Sequence, residues 1–176
     1  LGEKKVESYS VLRASFDSWF ADKVEEAGAE MIYGIRVDDL IINDGKVCGI
    51  IAGGDEITAD VTIIAEGVNS LFPQKLGLLT RPTPHQMAVG VKALYELDEK
   101  TVADRFQCKA DEGAAWLFVG DCTKGHVGGG FLYTNKSSIS IGLVATLSDL
   151  ITSDVPVYQM LQDFVDNECI APILEG

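Results

Sequence analysis

Basic residues are scarce in this chain: Lys and Arg total 14 against 27 Asp and Glu, for a formal net charge of -13. Such a balance repels phosphate backbones and leaves no electrostatic footprint for nucleic acid. Histidine is scarcer still. His85 and His126 each stand alone in the sequence and read as loop or surface residues rather than catalytic bases. The four cysteines, Cys48, Cys108, Cys122 and Cys169, lie far apart with no Cys-x-x-Cys. That spacing disfavours structural zinc and iron-sulfur ligation and reads as buried or partly buried reduced thiols of a reducing compartment. No window approaches the roughly 18–20 apolar residues of a membrane span. The opening Leu-Gly-Glu-Lys-Lys lacks the apolar core of a signal peptide, so a cytoplasmic location is expected. Gly-x-Gly-x-x-Gly, Gly-x-Ser-x-Gly, His-Glu-x-x-His and the P-loop are all absent. A complete dinucleotide-binding domain is therefore not expected, and hydrolase or nucleoside-triphosphatase chemistry has no local support.

What is present is globular in texture. At 47% hydrophobic and 23% charged over 176 residues, the chain suffices for one domain with a core or two small ones. Leu12, Phe16, Trp19, Phe20, Val24 and Ala27 recur at spacings of three and four. This predicts an amphipathic helix over 9–27, capped by Ser8 or Ser10 and closed by Gly28 in a left-handed conformation. Within it Arg13 and Asp17, four apart, suit a surface ion pair. Two β-type runs, 35–42 and 47–52, flank Asn43-Asp44-Gly45-Lys46, a hairpin turn signal, and Gly53-Gly54 makes the next turn of an antiparallel meander.

The meander leads into Asp60-Val61-Thr62-Ile63-Ile64-Ala65-Glu66-Gly67-Val68-Asn69-Ser70. Its apolar run predicts a strand buried on both faces over 61–65. Glu66-Gly67 would then stand at the strand's C-terminal end, where open α/β sheets bind ligands; the alternative is a plain polar turn. Helical turns over 71–79 and a proline-containing linker over 80–84 follow. An organisational boundary is placed there, giving segments 1–79 and 80–176.

Beyond it, strands are predicted over 87–97, 114–119, 129–133 and 138–147. Helices are predicted over 98–105, N-capped by Asp98, and over 155–167. The second segment is thus an antiparallel sheet with helices packed on it, and the chain as a whole α+β (α/β). Gly128-Gly129-Gly130 directly precede Phe131-Leu132-Tyr133. Glycines there allow a flat ring to lie against bare backbone, or simply make a wide loop entering a strand. Trp116 and Phe118, two apart, share a face and suit a core.

Three segments together resemble one family: 9–19 (Tyr-Ser-Val-Leu-Arg-Ala-Ser-Phe-Asp-Ser-Trp), 63–70 (Ile-Ile-Ala-Glu-Gly-Val-Asn-Ser) and 128–135 (Gly-Gly-Gly-Phe-Leu-Tyr-Thr-Asn). In order and spacing they are similar to FixC-type flavoproteins and to electron transfer flavoprotein:quinone oxidoreductase. More distant relatives are geranylgeranyl reductases and aromatic-ring hydroxylases.

The resemblance implies an FAD-dependent oxidoreductase with part of a glutathione-reductase-like FAD domain. It implies FAD contacts at Arg13, whose guanidinium suits phosphate and hydroxyl oxygens, and at Glu66, Gly67, Asn69 and Ser70; many relatives carry Asp at the position of Glu66. It implies a quinone or substrate pocket wall at Gly128, Gly129, Gly130, Phe131 and Tyr133, with Val127 where the quinone enzyme has an aromatic residue. No catalytic side chain and no metal ligand is assigned. Electrons would come from an electron-transfer flavoprotein and pass to a quinone or a ferredoxin-like partner, with peripheral membrane contact of the parent as an option. A geranylgeranyl-reductase-like or aromatic-hydroxylase-like enzyme, or a non-catalytic ligand-binding domain, are the alternatives. The family's Gly-rich diphosphate loop is expected before Leu1 and its last FAD segment after Gly176. The chain alone is therefore expected to be an inactive internal portion that holds FAD weakly or not at all.

Overall fold

The computed structural model describes residues 9–109 and 111–175. The chain folds as two compact units, one of residues 18–81 and the other of residues 1–17 with 82–176. The division at Pro82 falls inside the proline-containing linker, and helix α1 (Arg13–Glu26) contributes to both units.

In the smaller unit, β1 (Val37–Asn43), β2 (Lys46–Ala52) and β3 (Asp55–Thr58) form a three-stranded antiparallel meander. Its first turn follows from local chemistry: Asp44 and Gly45 take φ of 49° and 76°, the paired left-handed conformations that match the twist of a two-residue hairpin. Asn43 and Lys46 close it as partners. The register slips between Ile41 and Ile42, whose partners are Gly49 and Val47, and Gly49 next to the slip is closely packed. A Cβ there would stand 2.1 Å from the Ile57 carbonyl oxygen, so no other residue fits the close approach of β3.

The run 61–65 is not a strand: it carries no ladder bonds, and Val61 and Ile63 are 75% and 86% exposed. This corrects the expectation of a doubly buried strand. A strand's ladder needs a neighbouring strand, and the meander ends at β3, which pairs with β2 alone among the described residues. A 3₁₀ turn (Gly67–Asn69) and the short α2 (Leu71–Lys75) follow. Lys75 reaches back to Asp39 on β1 at 2.6 Å.

Helix α1 begins at Arg13, later than the sequence pattern predicted. Ser10 is not its cap, because the Ser10 hydroxyl donates to the Thr134 carbonyl at 2.8 Å; Ser8 lies outside the described residues. The C-terminus closes as predicted. Gly28 takes φ 94°, its N–H bonds to Glu25 and the Ala29 N–H bonds to Val24, the two bonds of a Schellman cap.

The larger unit holds β4 (Ala88–Glu96), α3 (Glu99–Phe106), β5 (Ala115–Phe118), β6 (Gly128–Thr134), β7 (Ser138–Thr146), α4 (Leu147–Thr152), α5 (Val157–Val165) and α6 (Ala171–Leu174). The sheet is antiparallel throughout, in the order β4-β7-β6-β5. Asp98 caps α3 by accepting from the Thr101 N–H at 2.9 Å, as its position predicted. Leu132, Ile139 and Ile141 are fully buried and pack with Phe164, Val165, Ile170 and Leu174. One sheet face is therefore covered by α5 and α6. Along its edge runs a row of rings, Phe106, Trp116, Phe118 and Phe164, with successive centroids 5.1, 6.4 and 5.1 Å apart. Trp116 and Phe118 thus serve packing.

No helix among the described residues is long and apolar enough to cross a membrane.

Candidate functional site

Period-two alternation sends Gly130, Leu132 and Thr134 of β6 to the helix-covered face, where all three are buried. It leaves Gly129, Phe131 and Tyr133 on the other face. The three glycines therefore do not form one bare patch. A Cβ on Gly130 would stand 2.9 Å from two atoms of the Phe164 ring, so the ring lying on that backbone is the protein's own. Gly128 abuts the Val144 carbonyl oxygen and Gly129 the Phe118 carbonyl oxygen, at 2.0 and 2.7 Å from an added Cβ.

The second face is the candidate site. Strand registers align Lys92, Gly142, Phe131 and Leu117 in one row across all four strands, with Leu94, Ser140, Tyr133 and Ala115 in the next. Phe131 and Tyr133 stack at 5.5 Å with 16° between planes. The Phe131 ring lies over Gly142, where a Cβ would meet its Cζ at 2.5 Å. Leu117 is 85% exposed and Leu94 45%, and Gly90 and Lys92 are exposed as well. At the hairpin end the face is closed by Asn135, whose Nδ2 donates to Ser138 and Ser140 at 3.1 and 3.2 Å. A groove of about 680 Å³ opens nearby, lined among others by Leu12, Leu94, Glu96 and Ser138, within the size range of small-molecule sites. None of the five pocket residues read from the sequence lines it.

The residues expected to contact FAD fall in two places. Glu66, Gly67, Asn69 and Ser70 share one self-bonded turn. Glu66 accepts from the Phe72 N–H at 2.7 Å, Ser70 donates to the Gly67 carbonyl at 2.5 Å, and Gln74 donates to the Asn69 carbonyl at 2.8 Å. Ser70 takes a left-handed φ of 39° and Gly67 a φ of 77°. Nothing lies within 4 Å of where a Gly67 Cβ would stand, so a cofactor could approach this backbone closely. Arg13 is exposed at the start of α1 and donates to Asp17 at 2.7 Å. That hydrogen bond raises the arginine's pKa and lowers that of Asp17. The ion pair is as its spacing suggested, and the guanidinium is on the surface where an anionic oxygen can reach it. Taken separately, Arg13 offers an exposed guanidinium and Gly67 open backbone.

Lys92, Gly90 and Gly142 were missed from the sequence. The signal was present in the parity of β4: Gly90, Lys92, Leu94 and Glu96 alternate with Val89, Val91, Ala93 and Tyr95, so the one cation of that strand was assignable to a face. Among the described residues no group of three or more His, Cys, Asp or Glu is placed to hold a metal ion.

The antiparallel sheet with one helix-covered and one open face, accompanied in the chain by a small meander, is an α+β architecture. A geranylgeranyl bacteriochlorophyll reductase-like protein from Thermoplasma acidophilum shares it at a TM-score of 0.68, over 95% of this chain and 42% of that one, with 16% sequence identity. That likeness is one of fold. In sequence the chain is similar to protein FixC of Escherichia coli K12, with 50% identity over 169 residues, 96% of this chain and 40% of that protein. Two probable electron transfer flavoprotein-quinone oxidoreductases of the same organism, YdiS and YgcN, are 47% and 41% identical over 96% and 97% of this chain. No family model matches. The FixC-type resemblance seen in three segments thus extends over nearly the whole chain, which spans about 40% of the length of these curated relatives.

Proposed function

We propose that this chain forms part of an FAD-dependent oxidoreductase that takes electrons from an electron-transfer flavoprotein and delivers them to a quinone or a ferredoxin-like acceptor. The observation that carries the reading is the open sheet face, whose Phe131–Tyr133 stack stands in rows with the exposed Leu117, Leu94 and Lys92. A flat ring is matched by aromatic side chains and the apolar surface beside them. The names of the similar proteins, quinone oxidoreductases among them, agree with a quinone as that ring. FAD supplies the electron transfer when bound, and the Gly67 turn and Arg13 are each carried over from the family resemblance as expected contacts. The chain's own residues bind and orient, and no side chain is assigned a proton-transfer step.

The test uses the protein at the full length of its relatives. It should show a flavin absorbance band, be reduced by an electron-transfer flavoprotein in preference to nicotinamide cofactors, and pass electrons to a soluble quinone analogue. A colourless full-length protein would refute the redox reading in favour of a ligand-binding domain. Reduction by nicotinamide cofactors alone would favour a hydroxylase-like or lipid-reductase-like enzyme.

A further inference from the structure

Lys92 occupies the row of the open face that contains Gly142 and Phe131. Opposite it stands a glycine, so no side chain separates its strand from the tip of the Phe131 ring, which leans over Gly142. The other strand residues of this face are Ala88, Gly90, Leu94 and Glu96 on β4, Ala115 and Leu117 on β5, Gly129, Phe131 and Tyr133 on β6, and Ser138, Ser140, Gly142, Val144 and Thr146 on β7. Glu96 is the single carboxylate among them. It lies four residues along the strand from Lys92, roughly 13 Å at strand rise, too far for an ion pair. The face thus offers an aromatic floor bounded by one ammonium with no carboxylate of the same face in reach.

Covering that ammonium with a neutral ring would strip its water and leave an unpaired charge, a costly outcome. A ring that brings its own negative oxygen removes the penalty. We infer that Lys92 is the charge-recognising residue of the open face, and that the face takes a planar aromatic or quinonoid ligand bearing an ionised oxygen. This rests on the reading of the face as a ring-binding site, and it specifies the class of ring.

The experiment is a binding titration with two naphthoquinones, both substituted at the thiol-reactive ring positions so that the free cysteines do not add to them. One carries a hydroxyl ionised at neutral pH, and the other is its neutral dimethyl analogue. The protein should bind the anion about five- to ten-fold more tightly than the neutral compound, the preference expected for one close charge pair near water. Lys92→Met should abolish that preference while leaving neutral binding within about two-fold, Lys92→Arg should keep it, and added salt should narrow it. Equal affinity for the two compounds, or a Lys92→Met effect equal on both, would overturn the role of Lys92 while leaving the ring site standing. Absence of binding by both, or binding unchanged in Phe131→Ala, would instead overturn the ring-site reading on which the proposal rests. Lys92 lies outside the buried core, so its variants should fold; circular dichroism of each variant checks this.

Discussion

Gly130 is where helix α5 meets the sheet, and its replacement by alanine tests the packing that decides which face is open. The added methyl would stand 2.9 Å from both Cε1 and Cζ of Phe164 and 3.3 Å from the Phe118 Cβ, inside ordinary contact distance. Phe164 is 7% exposed and its ring packs edge-on against Phe118 at 5.1 Å, so moving it away from the methyl disturbs that pair. Overpacking of this kind costs about 1–3 kcal/mol. In a unit of roughly 100 residues each kcal/mol corresponds to about 4–8 °C in Tm. Phe164→Leu removes the two offending atoms. If the collision is the cause, the double variant should be less destabilised than the sum of the single variants by about 1–2 kcal/mol, within the usual range for contacting residues. Thermal melts followed by circular dichroism and by tryptophan fluorescence supply all four corners of the cycle. A near-neutral Gly130→Ala would refute the claim that Phe164 occupies this glycine's space, and strictly additive single changes would show that the cost arises elsewhere.

Replacing Gly45 by valine should cost about 1–2 kcal/mol through its left-handed backbone, with faster hydrogen exchange confined to β1 and β2. Lys75→Met should raise the Asp39 pKa, since the Lys75 hydrogen bond is the largest cause of its depression. The Leu40 N–H should hold part of the depression, and carbon-13 titration of the carboxylate reads both. The Asp98 carboxyl is held below its ordinary value by the Thr101 hydroxyl and N–H. Its capping contribution is therefore complete above the unfolded carboxylate pKa of about 4 and is lost as pH falls through the lower folded value. Asp98→Asn should flatten that acid-side dependence, as read from exchange of the Thr101 amide with pH. In the full-length protein, Tyr133→Ala should raise KM for a quinone analogue more than it lowers kcat, because the ring contributes binding surface; an unchanged KM would remove Tyr133 from the site.

Local chemistry made several features legible in advance. Asp44-Gly45 forces a tight hairpin whatever surrounds it, Gly28 ends a helix because it tolerates positive φ, and Asp98 caps α3 with its own side chain. Arg13 and Asp17 pair because four residues make about one helical turn. These are interactions within a few residues, so their partners are written next to them. Features that needed a distant partner were not legible in this way. The run 61–65 has the composition of a buried strand but no ladder beside it among the described residues, and β-branched side chains do not make a strand alone.

The candidate site divides along the same line. Gly128 to Gly130 and the Phe131–Tyr133 pair stand out in the sequence, and period-two alternation sorts them into two sets. Which set faces a ligand was decided only in three dimensions, when the Phe164 ring of α5 settled on Gly130 and left Gly129, Phe131 and Tyr133 on the uncovered side. The sequence alone determined the turns, the caps, the helix-surface ion pair and the presence of a glycine-edged aromatic strand, because each is a property of neighbouring residues. Tertiary structure alone decided which face stayed open and that Lys92 stands across one glycine from Phe131, because strand pairing and helix docking join residues dozens of positions apart.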